Sequence, residues 1–201
     1  MRILSIEDRP GAGAGDVRPL VDAGHDIARC HAEGAPAFPC AGLLGDCPIE
    51  EPAGIDVVVD SRSAPGDRTA ADEAGASCAL RRGIPVLVSG ADNPFADWAT
   101  VRRDGEPIVD ACRRAIDEGA ARRAAPLRAE VERILADEAQ PGGAEVRITR
   151  CGTTARIAIE VPGPVSPALA GAVAARVHAV DRRRPSPEST LDIGVTSRRS
   201  P

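Results

Sequence analysis

The chain contains no lysine and no tyrosine; all 25 residues in its Lys+Arg count are arginine. Without an ε-amino group there is no Schiff-base nucleophile and no lysine to hold phosphate in a Walker-type loop. Aromatic residues make up 1% of the 201, namely Phe38, Phe95 and Trp98. That is too few to build a base-stacking platform for single-stranded nucleic acid. The net charge of −5 is unevenly spread, with 8 Arg against 16 acids in residues 1–100 and 17 Arg against 14 acids in residues 101–201. Binding a phosphate backbone needs a basic face, so no nucleic-acid partner is expected. No apolar run approaches the roughly 18 residues of a membrane span. Residues Met1 to Asp8 turn acidic too soon for a signal-peptide core. A cytoplasmic location without a membrane span is the expectation, and six cysteines there are expected as thiols or ligands, not structural disulfides.

The first half of the chain alternates strand and helix patterns. Residues 2–7 form a short apolar, β-branched run. Gly11, Gly13 and Gly15 make a loop, with Asp16 as a candidate cap for the helix that follows and Gly24 as its stop. Residues 25–30 read as a weaker strand, and residues 32–54, rich in Gly, Pro and Cys, as a long loop. Residues 55–60 are the clearest strand, followed by a helix at about 69–82 and a strand at 84–89, with no clear fifth strand after Ser89. Such alternation predicts an α/β fold with a doubly wound parallel sheet. Residues 107–118 read as a helix that Gly119 weakens, and Pro126 as the start of another.

After Gln140-Pro141-Gly142-Gly143 the periodicity changes. Val146 and Ile148, then Ile157, Ile159 and Val161, alternate with polar residues; Leu169, Val173, Val177 and Val180 follow at helical spacing; Leu191, Ile193 and Val195 alternate again. The expected organisation is an α/β domain at 1–118, a helical connector at 119–143 and a small β-β-α-β module at 144–197.

In an open parallel sheet, functional groups collect at the carboxyl ends of the strands. The expected ends here carry Glu7-Asp8, Asp60 and Ser89. This arrangement resembles the response-regulator receiver family, whose fold is flavodoxin-like. The resemblance implies that Glu7 and Asp8 bind Mg²⁺, that Asp60 accepts a phosphoryl group and that Ser89 is the switch hydroxyl. The family's lysine after the fifth strand has no counterpart in a chain without lysine, and Arg102 and Arg103 are the nearest cations. The segment Gly11-Ala12-Gly13-Ala14-Gly15 does not meet the Gly-x-Gly-x-x-Gly dinucleotide spacing, because Asp16 and Arg18 fall where the last glycine belongs.

Cys30 and His31 end the second strand, Cys40 and Cys47 lie in the following loop, and Cys78 lies on the helix after the third strand. Thiolates with or without an imidazole suit zinc or an iron–sulfur cluster. The pair Cys40 and Cys47 alternatively suits thiol redox chemistry, and buried cysteines also serve simply as small hydrophobes, as expected for Cys112 and Cys151. The only aromatic cluster in the described order of the sequence, Phe95 with Trp98, is expected to close one end of the core. The 144–197 module weakly resembles the alkaline-shock family of envelope-stress proteins in its hairpin, Val-Ala-rich helix and closing strand, which implies a non-enzymatic role.

Three functions therefore stand side by side. The leading expectation is a non-enzymatic regulatory or assembly protein with a protein partner, itself or another. The alternatives are a metal-binding or thiol-redox protein using Cys30, Cys40, Cys47, Cys78 and His31, and a phospho-accepting receiver at Asp60 with Glu7, Asp8 and Ser89.

Overall fold

The computed structural model describes residues 1–32, 40–65, 68–90, 92–152, 154–184, 188 and 190–198, and the Cys151 side chain is not among what is described. Phe38, in the expected long loop, lies outside the described residues, as do Thr153 of the expected turn and the last three residues of the expected tail. The chain divides into two compact units, Met1–Gly119 and Ala120–Pro201.

In the first unit the strands are β1 (Arg2–Glu7), β2 (Asp26–Ala28), β3 (Val57–Arg62), β4 (Val86–Gly90) and β5 (Val101–Arg102). They form one parallel sheet in the order β2-β1-β3-β4-β5. This is a mixed α/β unit with a five-stranded parallel sheet, consistent with a flavodoxin-like layout. Helix α1 (Ala14–Asp22) and the start of α3 (Ile108–Asp137) cover one face, where Leu20, Ile108, Ala111 and Cys112 pack on Ile3, Val57, Val59 and Leu87. Helix α2 (Ala74–Arg81) covers the other, where Ala76 and Ala79 join Leu4, Val58, Val86 and Phe95. The central strands are buried on both faces, and their near-continuous Ile, Leu and Val content follows from that.

Several sequence expectations are corrected. A fifth strand exists, only two residues long. Strand β3 runs past Asp60 to Arg62, so Asp60 lies inside the strand instead of ending it. This is possible because Gly90 pairs with Arg62 at the far end of β4: a Cβ on Gly90 would lie 2.0 Å from the Arg62 carbonyl oxygen, and its φ is +96°. Asp16 does not cap α1, whose N-cap is Gly13; it lies in the first turn with its carboxylate turned toward the sheet. Phe95 is buried, but Trp98 is 65% exposed and closes no core.

The two expected helices around Gly119 are one helix, α3. Gly119 is there for contact, since a Cβ would come 2.6 Å from Pro85 Cγ. Pro126 lacks the N–H that would bond the Arg122 carbonyl, and Arg184 Nη1 donates to that carbonyl at 3.4 Å.

The second unit holds β6 (Glu145–Cys151), β7 (Thr154–Val161), α4 (Pro167–Asp181) and β8 (Thr190–Ser197). Strand β7 pairs antiparallel with β6 and parallel with β8. Ser166 Oγ caps α4 by accepting from the Leu169 N–H at 3.1 Å. Leu127, Val131 and Leu135 of α3 and Val173 and Val177 of α4 pack on Val146, Ile157, Ile159 and Val161. A buried ionic cluster joins these elements. Arg123 donates to both oxygens of Asp181 at 2.9 Å and to Glu188 at 2.9 Å, and Arg150 lies 3.5 Å from Glu188. Burial lowers the Arg123 pKa, but the hydrogen bonds to Asp181 and the charge of Glu188 outweigh it and hold the guanidinium charged.

Candidate functional site

In this strand order the chain leaves β1 toward β2 on one side and returns to β3 on the other. The crevice between the carboxyl ends of β1 and β3 is where open α/β sheets bind ligands. Here the loop that carries Gly13 reaches the strand ends. Gly13 N–H donates to Glu7 Oε2 at 3.0 Å, and a Cβ on Gly13 would stand 3.4–3.6 Å from Glu7, Ser61 and Ser5. Asp8 Oδ1 accepts from the N–H and the hydroxyl of Ser63, each at 3.2 Å. Glu7 and Asp8 are thus each engaged by a neighbouring loop.

Side-chain alternation then separates the remaining acidic and hydroxyl groups. Asp60 pairs in register with Val88, and Ser61 with Ser89. Successive strand residues point to opposite faces, so Asp60 faces the α2 layer while Ser61 and Ser89 face α1 and α3. On that second face a polar chain runs through the sheet edge. Ser61 Oγ donates to Asp16 Oδ2 at 2.7 Å, Arg103 pairs with Asp16 Oδ1, and the same Arg103 nitrogen donates to Ser89 Oγ at 3.2 Å. Arg103 Nε donates to the Glu106 carbonyl at 2.8 Å. Arg103 follows directly on β5, and Arg102 instead pairs with Asp97 at 2.9 Å. This network was not legible in the sequence, because Asp16 and Arg103 are far apart in the chain.

Asp60 has no exposed surface. Its Oδ2 accepts from Asn93 Nδ2 at 2.8 Å, and among the described residues its Oδ1 has no hydrogen-bond partner. Burial is the main reason its pKa rises to about 7; the Asn93 bond opposes this, nearby Glu73 and Asp8 reinforce it, and Arg62 opposes it. Arg62 is itself committed to buried Glu73, with Nε to Oε1 at 2.7 Å. Beside this group, at the ends of β4 and β5, lies an open depression of about 720 Å³ lined by Val88, Asn93, Pro94, Arg102, Arg103 and Asp104.

The four candidate cysteines gather on the α2 side. Cys30, Cys47 and Cys78 all pack against the same core layer, and Cys30 Sγ lies over Gly75 of α2, 2.9 Å from where a Cβ would stand. Burial, with Cys47, Cys78 and Cys40 nearby, pushes the Cys30 thiol up to about 12. Arg81 Nη2 reaches Cys78 Sγ at 3.4 Å. His31 turns away to Asp72, 3.7 Å from Nε2. All four are free thiols, as is buried Cys112. Among the described residues no group of three or more His, Cys, Asp or Glu side chains is placed to hold a metal ion. Among the described residues no helix is long and apolar enough to cross a membrane.

No protein-family model matches the chain, and no curated protein matches it either.

Proposed function

We propose that the protein is a non-enzymatic regulatory or assembly protein that acts through protein–protein contacts, with a receiver-like first unit that does not transfer phosphate. The observation that carries this reading is the division of Asp60 and Ser89 between opposite faces of the sheet, with Asp60 fully buried. In-line attack on phosphorus requires an accessible carboxylate positioned against its acceptor site, and Asp60 exposes no atom to a phosphodonor. The hydrogen bonds that tie Glu7 to Gly13 and Asp8 to Ser63 support the same reading, because they engage the acidic pair with the protein's own loops. The likeness of the second unit to the alkaline-shock family is part of the proposal and points to a non-catalytic role for it. Exposed Leu43 (64%), Leu44 (73%) and Trp98 (65%) supply apolar surface for contact.

The test is incubation of the full chain with acetyl phosphate and Mg²⁺, followed by intact mass. The expected result is no phosphoryl adduct. An adduct that disappears in Asp60→Asn overturns the reading in favour of a working receiver. A photo-reactive residue placed at Leu43 or Trp98 is expected to cross-link a discrete protein in cells, and its failure at both positions counts against a contact surface there.

A further inference from the structure

We propose that Cys40 and Cys47 form a reversible dithiol–disulfide pair that exchanges with low-molecular-weight disulfides. A 3-10 turn spans Ala41–Leu44, and Gly45 reverses the chain with φ +99°. The Asp46 N–H then donates to the Ala41 carbonyl at 3.0 Å and pinches the loop shut. Cys40 and Cys47 are the residues that flank this closure, one on the way in and one on the way out. Their sulfurs converge over Gly42: a Cβ there would lie 3.7 Å from Cys40 Sγ and 3.5 Å from Cys47 Sγ. Both sulfurs thus border one small volume, where side-chain rotation brings them toward the S–S bond length of about 2.05 Å.

Access separates this pair from buried Cys112, and the closed turn separates it from Cys30 and Cys78, which are partly exposed as well. Cys40 and Cys47 are both partly exposed, and residues 42–46 between them are exposed. Cys112 is fully buried. Cys30 is tucked between Ile6 and Gly75, and its raised pKa keeps it a thiol at neutral pH. Cys78 lies on α2 beside Arg81.

The chemistry balances with a small disulfide, RSSR, as oxidant. One thiolate of the pair attacks a sulfur of RSSR; a protein–S–S–R bond forms, the S–S bond of RSSR breaks, and RS⁻ leaves and takes up a proton. The second thiolate attacks the protein sulfur of that mixed disulfide, forms the Cys40–Cys47 bond and expels the second RS⁻. The protein loses two protons and two electrons, and RSSR becomes two RSH. The product cross-links the base of the turn that presents Leu43 and Leu44.

The experiment treats the reduced, desalted full chain with glutathione disulfide. Free thiols are then counted after denaturation, and the bond is located by fragmenting peptides of the oxidised protein. The expected result is the loss of two of the six thiols, a mass lower by two hydrogens, and a fragment pattern joining Cys40 to Cys47. Cys40→Ser and Cys47→Ser are each expected to stop at a stable glutathione adduct on the remaining partner. Cys30→Ser and Cys78→Ser are expected to keep the bond. Six thiols surviving the treatment, or a bond mapped to Cys30 or Cys78, overturns the proposal, and the mapping on the unaltered chain does not depend on any variant folding.

Discussion

Asn93 donates its side-chain amide to Asp60 Oδ2 at 2.8 Å while its own Oδ1 accepts from the Phe95 N–H at 2.8 Å. One amide thus fastens the segment after β4 to a carboxyl group in the middle of the sheet. Among the described residues the other oxygen of that carboxyl has no hydrogen-bond partner, and burial disfavours the charged form.

Asp60 makes stability depend on pH in a defined direction. Its folded pKa of about 7 lies above the ordinary value of 3.8, so the native state holds a proton that the unfolded state releases. Its contribution is fully present below about pH 4 and is lost as pH rises through about 7. Asp60→Asn removes the titration and keeps the shape. Urea unfolding is expected to find the variant little changed at pH 4 and more stable than the parent at pH 8, by roughly 2–4 kcal/mol. Equal differences at both pH values count against a buried titrating carboxyl.

Arg103 ties Asp16, Ser89 and the Glu106 carbonyl together from one side chain. A lysine ammonium is a point donor without the planar fork, so Arg103→Lys cannot meet all three at once. The expected loss is about 1–2 kcal/mol in urea unfolding, on the scale of one or two net hydrogen bonds. The variant also places a lysine directly after β5. It is still expected to take no label from acetyl phosphate, because Asp60 stays buried on the other face.

The Arg123 cluster is the ionic centre of the second unit. Asp181 and Glu188 are nearly inaccessible, and Arg123→Met removes the two hydrogen bonds to Asp181 and the one to Glu188. Removing one partner of a buried ion pair costs about 3–5 kcal/mol. The expected result is a lower unfolding midpoint for a variant of similar side-chain volume, and an unchanged midpoint contradicts a structural role for the cluster.

Two helical glycines are expected to respond in opposite directions. Alanine is favoured over glycine inside a helix by about 1 kcal/mol. At Gly171 a Cβ meets nothing within 4 Å, so Gly171→Ala is expected to stabilise by about that amount. At Gly119 the Cβ would press on Pro85 Cγ at 2.6 Å, and overpacking costs about 1–3 kcal/mol. Gly119→Ala is expected to come out neutral to destabilising in thermal unfolding.

Gly119 and Pro126 also explain why the sequence pattern of α3 divides into two helices. Each is unfavourable for a helix considered locally, and each is accommodated by a residue distant in sequence, Pro85 in one case and Arg184 in the other. The fifth strand carries no local signal for a similar reason: Val101 and Arg102 are too few to show a periodicity and are a strand only because β4 pairs with them.

What the sequence by itself determined is most of the elements and their broad class. The apolar runs at β1, β3 and β4, and the alternating and helical patterns from Val146 to Val195, are local properties of the chain, and hydrophobic burial converts them directly into strands and helices. The gathering of Cys40 and Cys47, the meeting of Asp16 with Arg103 and the placing of Asp60 and Ser89 on opposite faces were decided only by the tertiary structure. The last depends on strand register, since Asp60 opposes Val88 instead of Ser89. A shift by one residue exchanges every side chain between faces, and register is set by packing across the whole sheet, which no single segment encodes.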